Sequence, residues 1–383
     1  MASPILPGID VLVQQRRLIH RRMALVTNEA ARSFTGIHSR ALLLQNGYKL
    51  QRLFSPEHGL LATGADGAPQ PDGTDALTGL PVTSLYGEKL APPAAALQET
   101  DLVVFDVPDV GCRFYTYLWT LTHVMEACAA YQKPLLVLDR PNPTGAVLSA
   151  AEGPWLDEQH CASFLGRWRM PLRHACTLGE LARWFAATRL PQLELEVVPV
   201  QGYQRHHTAL HDFPFIPTSP AIPTIQTAFA YPATCLLEGL NVNEGRGTEA
   251  PFRYCGAPWI DGANWCRALQ QQLPPGVQVE PIRYTAAAPP YEGETCGGLL
   301  LTVTDHRVFK PVETGLLLIR TLHQCYPQLL QERPYPTAVN PSGTGHLNRL
   351  LGQPHAFSLA TAGALSTDVS GWEEAMAASL LYQ

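Results

Sequence analysis

The chain has 383 residues, a net charge of −6 with histidine neutral, 46% apolar residues and 16% charged ones. At about 100–200 residues per domain this length suggests two or three domains, enough to bury a core without disulfide or metal staples. The acidic balance and the lack of a long basic run argue against a nucleic-acid partner, and no segment approaches the ~18 consecutive apolar residues of a membrane span. The nine cysteines contain no Cys-x-x-Cys pair, so they read as reduced thiols and not as a zinc knuckle or a disulfide frame. The start, MASPILPGIDVLVQQRRL, has no early basic region and its apolar run is broken by Asp10. It is therefore not a secretion signal, and a cytoplasmic location is expected.

In chain order, residues 23–28 (MALVTN) form a short apolar run, the first predicted strand, and residues 38–47 a helix. Residues 49–59 give a second strand ending at Pro56, 101–109 a third, and 114–130 a long apolar helix. Residues 133–143 give a fourth strand, stopped by Pro141. Near-continuous apolar strands separated by helices predict a doubly wound α/β domain whose parallel sheet is covered on both faces. Further on, 177–190 reads as a helix with a Thr177/Glu180 capping box, and 193–200 as a strand. Residues 213–258, rich in proline and glycine, predict a long shaped loop or domain junction. Helices at 263–273, 311–326 and 372–383 and a strand at 297–305 then indicate a smaller α/β or α+β domain. We place the division between residues 228 and 229, giving domains 1–228 and 229–383.

Ligands of open α/β sheets bind beyond the carboxyl ends of the strands. Those ends carry Asn28; Glu57 and His58; Asp106 and Asp109, followed by Arg113 and Tyr115; and Asp139, Arg140 and Asn142. Glu57, held in a turn between Pro56 and His58-Gly59, suits either a general acid or a loop cap, and His58 a base, a ligand or a packed loop histidine. Arg113 and Arg140 can pair with the aspartates or grip a substrate carboxylate with both guanidinium nitrogens. Tyr115 suits packing with a hydrogen-bonded hydroxyl. A second cluster, Asn241 to Thr248, holds Glu244 and Arg246 between glycines, and Glu152-Gly153-Pro154 is a third. The chain has no G-x-G-x-x-G, phosphate loop, H-E-x-x-H or G-x-S-x-G, and His206, His207 and His211 lack a completing carboxylate pair. No cofactor and no metal are expected.

These segments together resemble the NamZ-type exo-β-N-acetylmuramidases, formerly a domain of unknown function. The matching stretches include Leu53 to Gly59 (LFSPEHG), Thr78 to Val82, Asp109 to Tyr117 (DVGCRFYTY), Leu138 to Pro143 (LDRPNP), Glu152-Gly153-Pro154, Arg173-His174, Tyr231 to Thr234, Glu238 to Asn241, Glu244 to Thr248 (EGRGT) and Gly256 to Trp259. Departures are Glu29-Ala30-Ala31-Arg32 after the first strand, Pro108 where relatives commonly carry glutamine, and Ala221 where they often carry asparagine. The resemblance implies a Rossmann-like N-terminal domain and a smaller C-terminal domain with the site in the cleft between them. It also implies release of N-acetylmuramic acid from the non-reducing end of peptidoglycan fragments, with Glu57 as general acid. The second group stays open among Glu152, Asp139, Glu244 and the substrate's own 2-acetamido group. Arg140, Arg113 or Arg246 would read the lactyl carboxylate, and Asn28, Asn142 and His58 would bond hydroxyls. A muropeptide-binding protein without turnover, and an amidase or metal-dependent hydrolase on the same fold, are the alternatives.

Overall fold

The computed structural model describes residues 4–383. In chain order its elements begin α1 (Gly8–Gln15), β1 (Arg22–Thr27), α2 (Ser39–Gln45), β2 (Lys49–Ser55), β3 (Gly73–Thr74) and β4 (Pro81–Ser84). They continue α3 (Ala94–Gln98), β5 (Leu102–Asp106), α4 (Tyr117–Ala130), β6 (Leu135–Leu138), α5 (Glu158–Cys161), α6 (Leu178–Arg189) and β7 (Leu195–Val198). One sheet has the order β3-β4-β2-β1-β5-β6-β7, with β3 antiparallel at one edge and every other pairing parallel. Counted among themselves, the parallel strands stand in the order 3-2-1-4-5-6 of dinucleotide-binding folds.

The strands read as continuous apolar runs because both faces of this sheet are covered. Along β1, Met23 and Leu25 pack beneath α1 and α2 with Ile9, Leu12 and Leu43. Ala24 and Val26 point the other way, into a core shared with Leu121 and Met125 of α4 and Phe185 of α6. Successive side chains of a strand alternate between faces, and here each face meets a helical layer.

The remainder comprises α7 (Ile225–Thr234), β8 (Tyr254–Ala257), α8 (Gly262–Gln270), β9 (Val277–Thr285), β10 (Thr295–Val303), α9 (Pro311–Cys325), α10 (His346–Leu351), α11 (Ala356–Ala362) and α12 (Trp372–Met376). A three-stranded antiparallel sheet runs β8-β10-β9. Its inner residues, including Cys255, Leu299 and Leu301, join the same core as α4 and α6 through α7 and α9. The two parts therefore share apolar packing.

Three sequence expectations change. The region 213–258 is not all loop: it holds α7, capped by the Thr224 side chain, with Pro232 inside the helix, and also β8. Burial of Ala228, Phe229, Tyr231 and Ala233 against the core outweighs the proline's cost, and the helix passes into a 3-10 turn right after Thr234. Strand β9 was not foreseen; it is an edge strand, which is why Pro281 is tolerated within it. The terminal helix ends at Met376, because the tail is drawn out to the first sheet. There Tyr382 Oη accepts from Val200 N at 2.9 Å, and Leu381 N donates to Glu180 at 3.1 Å. The capping box at Thr177 and Glu180 forms as expected. No helix is long and apolar enough to cross a membrane among the described residues.

Candidate active site

The turn after β2 sets the site. Pro56 ends the strand, and His58 and Gly59 adopt left-handed backbone at φ 66° and 74°. His58 holds that uncommon conformation through Nδ1, which donates to Gly64 O at 2.8 Å, while Gly64 N returns a bond to His58 O at 3.0 Å. Nδ1 therefore carries a proton, since its partner is a carbonyl oxygen. The turn directs Glu57 into a cleft between the first sheet and the C-terminal elements. About 1010 Å3 of space, open mouth included, lies there.

Glu57 is buried, at 5% exposure. One carboxylate oxygen accepts from Gly67 N at 2.9 Å and the other from Thr116 Oγ1 at 2.6 Å. Burial, and then the Asp66 charge beside it, push its pKa up and outweigh the His58 and hydrogen-bond contributions. Asp66 behaves oppositely. Burial alone would raise its pKa, but Arg246, His58, the Tyr335 hydroxyl and His346 together hold it below the usual carboxylate range. Arg246 Nη1 lies 3.3 Å from Asp66, and the Tyr335 hydroxyl donates to its other oxygen. One donor-type atom each of Glu57, His58 and Asp66 lie within 4.8 Å of one another, the one such trio able to hold a metal ion among the described residues.

Arg246 is the hub of the C-terminal wall. Its Nε donates to Glu244 at 3.0 Å, its Nη2 pairs with Glu238, and its guanidinium stacks 5.0 Å from the Phe252 ring. Glu238 in turn meets His346 Nε2 at 3.2 Å, and His346 stacks on Tyr335 with ring centroids 4.6 Å apart. Burial, against the opposing pull of Arg246, lifts the Glu244 pKa to about 7. A strap from the C-terminal part closes the arrangement: Ala338 N donates to Gly67 O at 2.7 Å, on the same peptide loop that binds Glu57.

Of the residues expected at the site, Glu57, His58, Tyr115 and Arg246 line this cleft. Tyr115 is fixed by its hydroxyl to Thr218 Oγ1 at 2.7 Å and packs edge-on against Tyr117 and Tyr231. Glu244 sits behind Arg246. The others are used elsewhere. Arg113 is fully buried and donates to the carbonyls of Pro154, Met170 and Leu350, so it braces loops and reaches no substrate. Arg140 is paired with Asp106 and bonded to Arg32 O at 2.9 Å and Ser39 Oγ at 3.1 Å, anchoring the loop after β1. Asp139 accepts from Thr177 Oγ1 at 2.7 Å, Gly179 N at 2.8 Å and the Tyr382 hydroxyl, so it caps α6 and clamps the tail. Asn142 makes a turn with Thr144 and bonds Cys176 O at 3.1 Å. Glu152 accepts from Val312 N and Glu313 N, capping α9 across the two parts, 3.8 Å from Arg173. Asn28, fully buried, bonds Ala30 N through Oδ1. Asp109 accepts from Gly111 N at 2.8 Å and lines a separate, apolar cavity with Phe213 and Phe215.

Sequence reasoning missed Asp66, Thr116, Glu238, Tyr335, Asn340, His346 and Arg349, all of which line the cleft. Thr116 lies inside the matched segment 109–117 and Glu238 inside 238–241, so both were within reach. The residues from 335 to 349 carry no motif, and only the folded chain brings them to Glu57.

Two family models cover this arrangement: exo-β-N-acetylmuramidase NamZ, N-terminal, over residues 23–226, and exo-β-N-acetylmuramidase NamZ, C-terminal, over residues 229–382. The peptidoglycan β-N-acetylmuramidase NamZ of Bacillus subtilis (strain 168) is 39% identical over 329 residues, covering 84% of this chain and 78% of that protein. Among solved structures, a DUF1343 family protein of Bacteroides fragilis NCTC 9343 matches with a TM-score of 0.86 and 26% identity over 99% of both chains. A second from the same organism matches at 0.76 and 27%, over 100% of this chain and 99% of that one. On this coverage, the chain belongs to the NamZ family of glycoside hydrolases, the exo-β-N-acetylmuramidases.

Proposed function

We propose that this protein releases N-acetylmuramic acid from the non-reducing end of peptidoglycan fragments, with Glu57 as general acid. The observation that supports this most is the pairing of Glu57 and Asp66 in one cleft with pKa values pushed in opposite directions. Two carboxyl groups held apart in this way divide the acid and base roles of a glycosidase. Glu57, whose hold on its proton is strengthened by burial, gives that proton to the glycosidic oxygen as the C1–O bond breaks. Asp66, kept ionised by Arg246 and Tyr335, supports the positive charge developing at C1. Water then adds to C1 and returns a proton to Glu57. His58, beside them, bonds a sugar hydroxyl through Nε2.

The trio Glu57, His58 and Asp66 supports a second reading, a metal-dependent hydrolase. Both oxygens of Glu57 already accept hydrogen bonds, and Asp66 is held by Arg246 and Tyr335, so the acid–base reading uses the geometry as it stands. Hydrolysis of a chromogenic β-N-acetylmuramide after exhaustive chelation tests the two. Undiminished release is expected; loss on chelation, restored by a divalent cation, would establish the metal reading.

A further inference from the structure

Muramic acid differs from glucosamine by a lactyl ether ending in a carboxylate, so an enzyme selecting it needs an uncommitted cation at the sugar. The arginines singled out by sequence are all committed: Arg113 to three carbonyls, Arg140 to Asp106, and Arg246 to Asp66, Glu238 and Glu244. Arg246, surrounded by three carboxylates, offers an incoming anion no net attraction.

We infer that Arg349, on α10, is the residue that reads the lactyl carboxylate, with Asn340, which lines the same cleft, as a neutral donor. The inference rests on the function proposed above. Both side chains line the cleft that holds Glu57. Arg349 Nη1 and Asn340 Nδ2 are buried and have no hydrogen-bond partner among the described residues. No other side chain lining this cleft carries such an orphaned atom among the described residues. Both orphans are donors, so the group that satisfies them must be an acceptor. A buried guanidinium nitrogen left unpaired is costly, and a carboxylate, with two oxygens and no proton, is the partner its planar fork fits. Asn340 is placed by the strap: its backbone N donates to Thr337 Oγ1 at 3.1 Å, and its Oδ1 accepts from Ser342 Oγ at 3.3 Å, leaving the amide nitrogen free for ligand. Arg349 is placed by α10, whose backbone begins at the left-handed Gly345. The specificity determinant thus comes from the C-terminal part and the acid from the N-terminal part, which accounts for a site that needs both.

The test is calorimetric binding of N-acetylmuramic acid and N-acetylglucosamine to wild type and R349Q, with R349K beside them and thermal unfolding as the fold control. Binding needs no turnover, so its outcome stands apart from the catalytic reading. Wild type should bind the muramic sugar more tightly, R349Q should bind it about 10- to 100-fold more weakly with the glucosamine sugar unchanged, and R349K should fall between. In turnover, R349Q should raise KM for a muramide far more than it lowers kcat. A folded R349Q that keeps the wild-type preference, or a wild type with none, overturns the inference. Failure of wild type to cleave any muramide, with the binding preference intact, overturns the hydrolase reading alone. If R349Q does not fold, R349K carries the test, since a point charge in place of the planar fork should still weaken the preference.

Discussion

Glu57→Gln keeps the shape of the side chain and removes only its proton-donating function. The amide oxygen still accepts from Gly67 N, and the amide nitrogen can donate to Thr116 Oγ1, so both hydrogen bonds of the buried carboxyl have replacements. Burial already favours the neutral form of the carboxyl, so a neutral amide of the same shape should leave thermal stability close to that of wild type. Loss of the acid should lower turnover on a natural disaccharide by about 10²- to 10⁴-fold, or roughly 3–5 kcal/mol of barrier. The loss should shrink with the acidity of the leaving group, because a nitrophenolate departs with little protonic help. Two substrates, the MurNAc-GlcNAc disaccharide and the nitrophenyl muramide, measured with the same enzyme preparations, give the comparison. A folded Glu57→Gln protein that cleaves both at near wild-type rates, or loses both equally, would show that Glu57 is not the acid.

Further outcomes follow from the same geometry. Activity should fall on the basic side as Glu57, raised above the ordinary glutamate range, loses its proton, and on the acidic side as Asp66, held below the ordinary aspartate range, gains one; a kcat/KM profile checks both limbs. Asp66→Asn should cost about 100-fold or more in turnover and, by removing the charge that raises Glu57, move the basic limb of the residual activity to lower pH. Glu152→Ala removes the cap on α9 and strands Arg173, so chemical denaturation should show a loss of about 3–5 kcal/mol with little change in KM of the surviving folded enzyme. Asp139, lifted to about 6 chiefly by burial, binds more protons folded than unfolded between its ordinary value and that point, so its contribution to stability declines as pH rises through this window. Tyr382→Phe removes a bond to the ionised form, so unfolding measured at pH 8 and pH 5 should show a loss of about 1–3 kcal/mol at the higher pH and less at the lower.

The first sheet was legible because its physics is local. Strands buried on both faces leave apolar runs such as MALVT and LVVFD, and breakers such as Pro56 and Pro141 mark where they stop. The capping box at Thr177 is written within four residues. The strand-end turn that carries Glu57 was legible for a similar reason, but the residues alone left it open between a general acid and a loop cap, and the acid role came from the family resemblance. The partners of the polar groups were not legible. Asp106 neutralises Arg140 across 34 positions of chain, and Leu350 O accepts from Arg113 across 237. Nothing local distinguishes an arginine that braces loops from one that meets substrate. Asp66 and Arg349 were missed for the converse reason: each is ordinary in sequence and acquires its role from what the fold sets beside it. Proline misled the reading at α7, where packing against the core overrides a local signal that favours loop.

The central claim is that this cleft, with no added metal, removes a terminal muramic sugar through the Glu57 and Asp66 pair. The most direct measurement is to incubate chelator-treated protein with the two isomeric disaccharides, MurNAc-β-1,4-GlcNAc and GlcNAc-β-1,4-MurNAc, and to follow free sugars by chromatography. Release of N-acetylmuramic acid from the first alone, abolished in Glu57→Gln, is the expected result. Cleavage of the second at a comparable rate, or activity that vanishes with the metal, would contradict it.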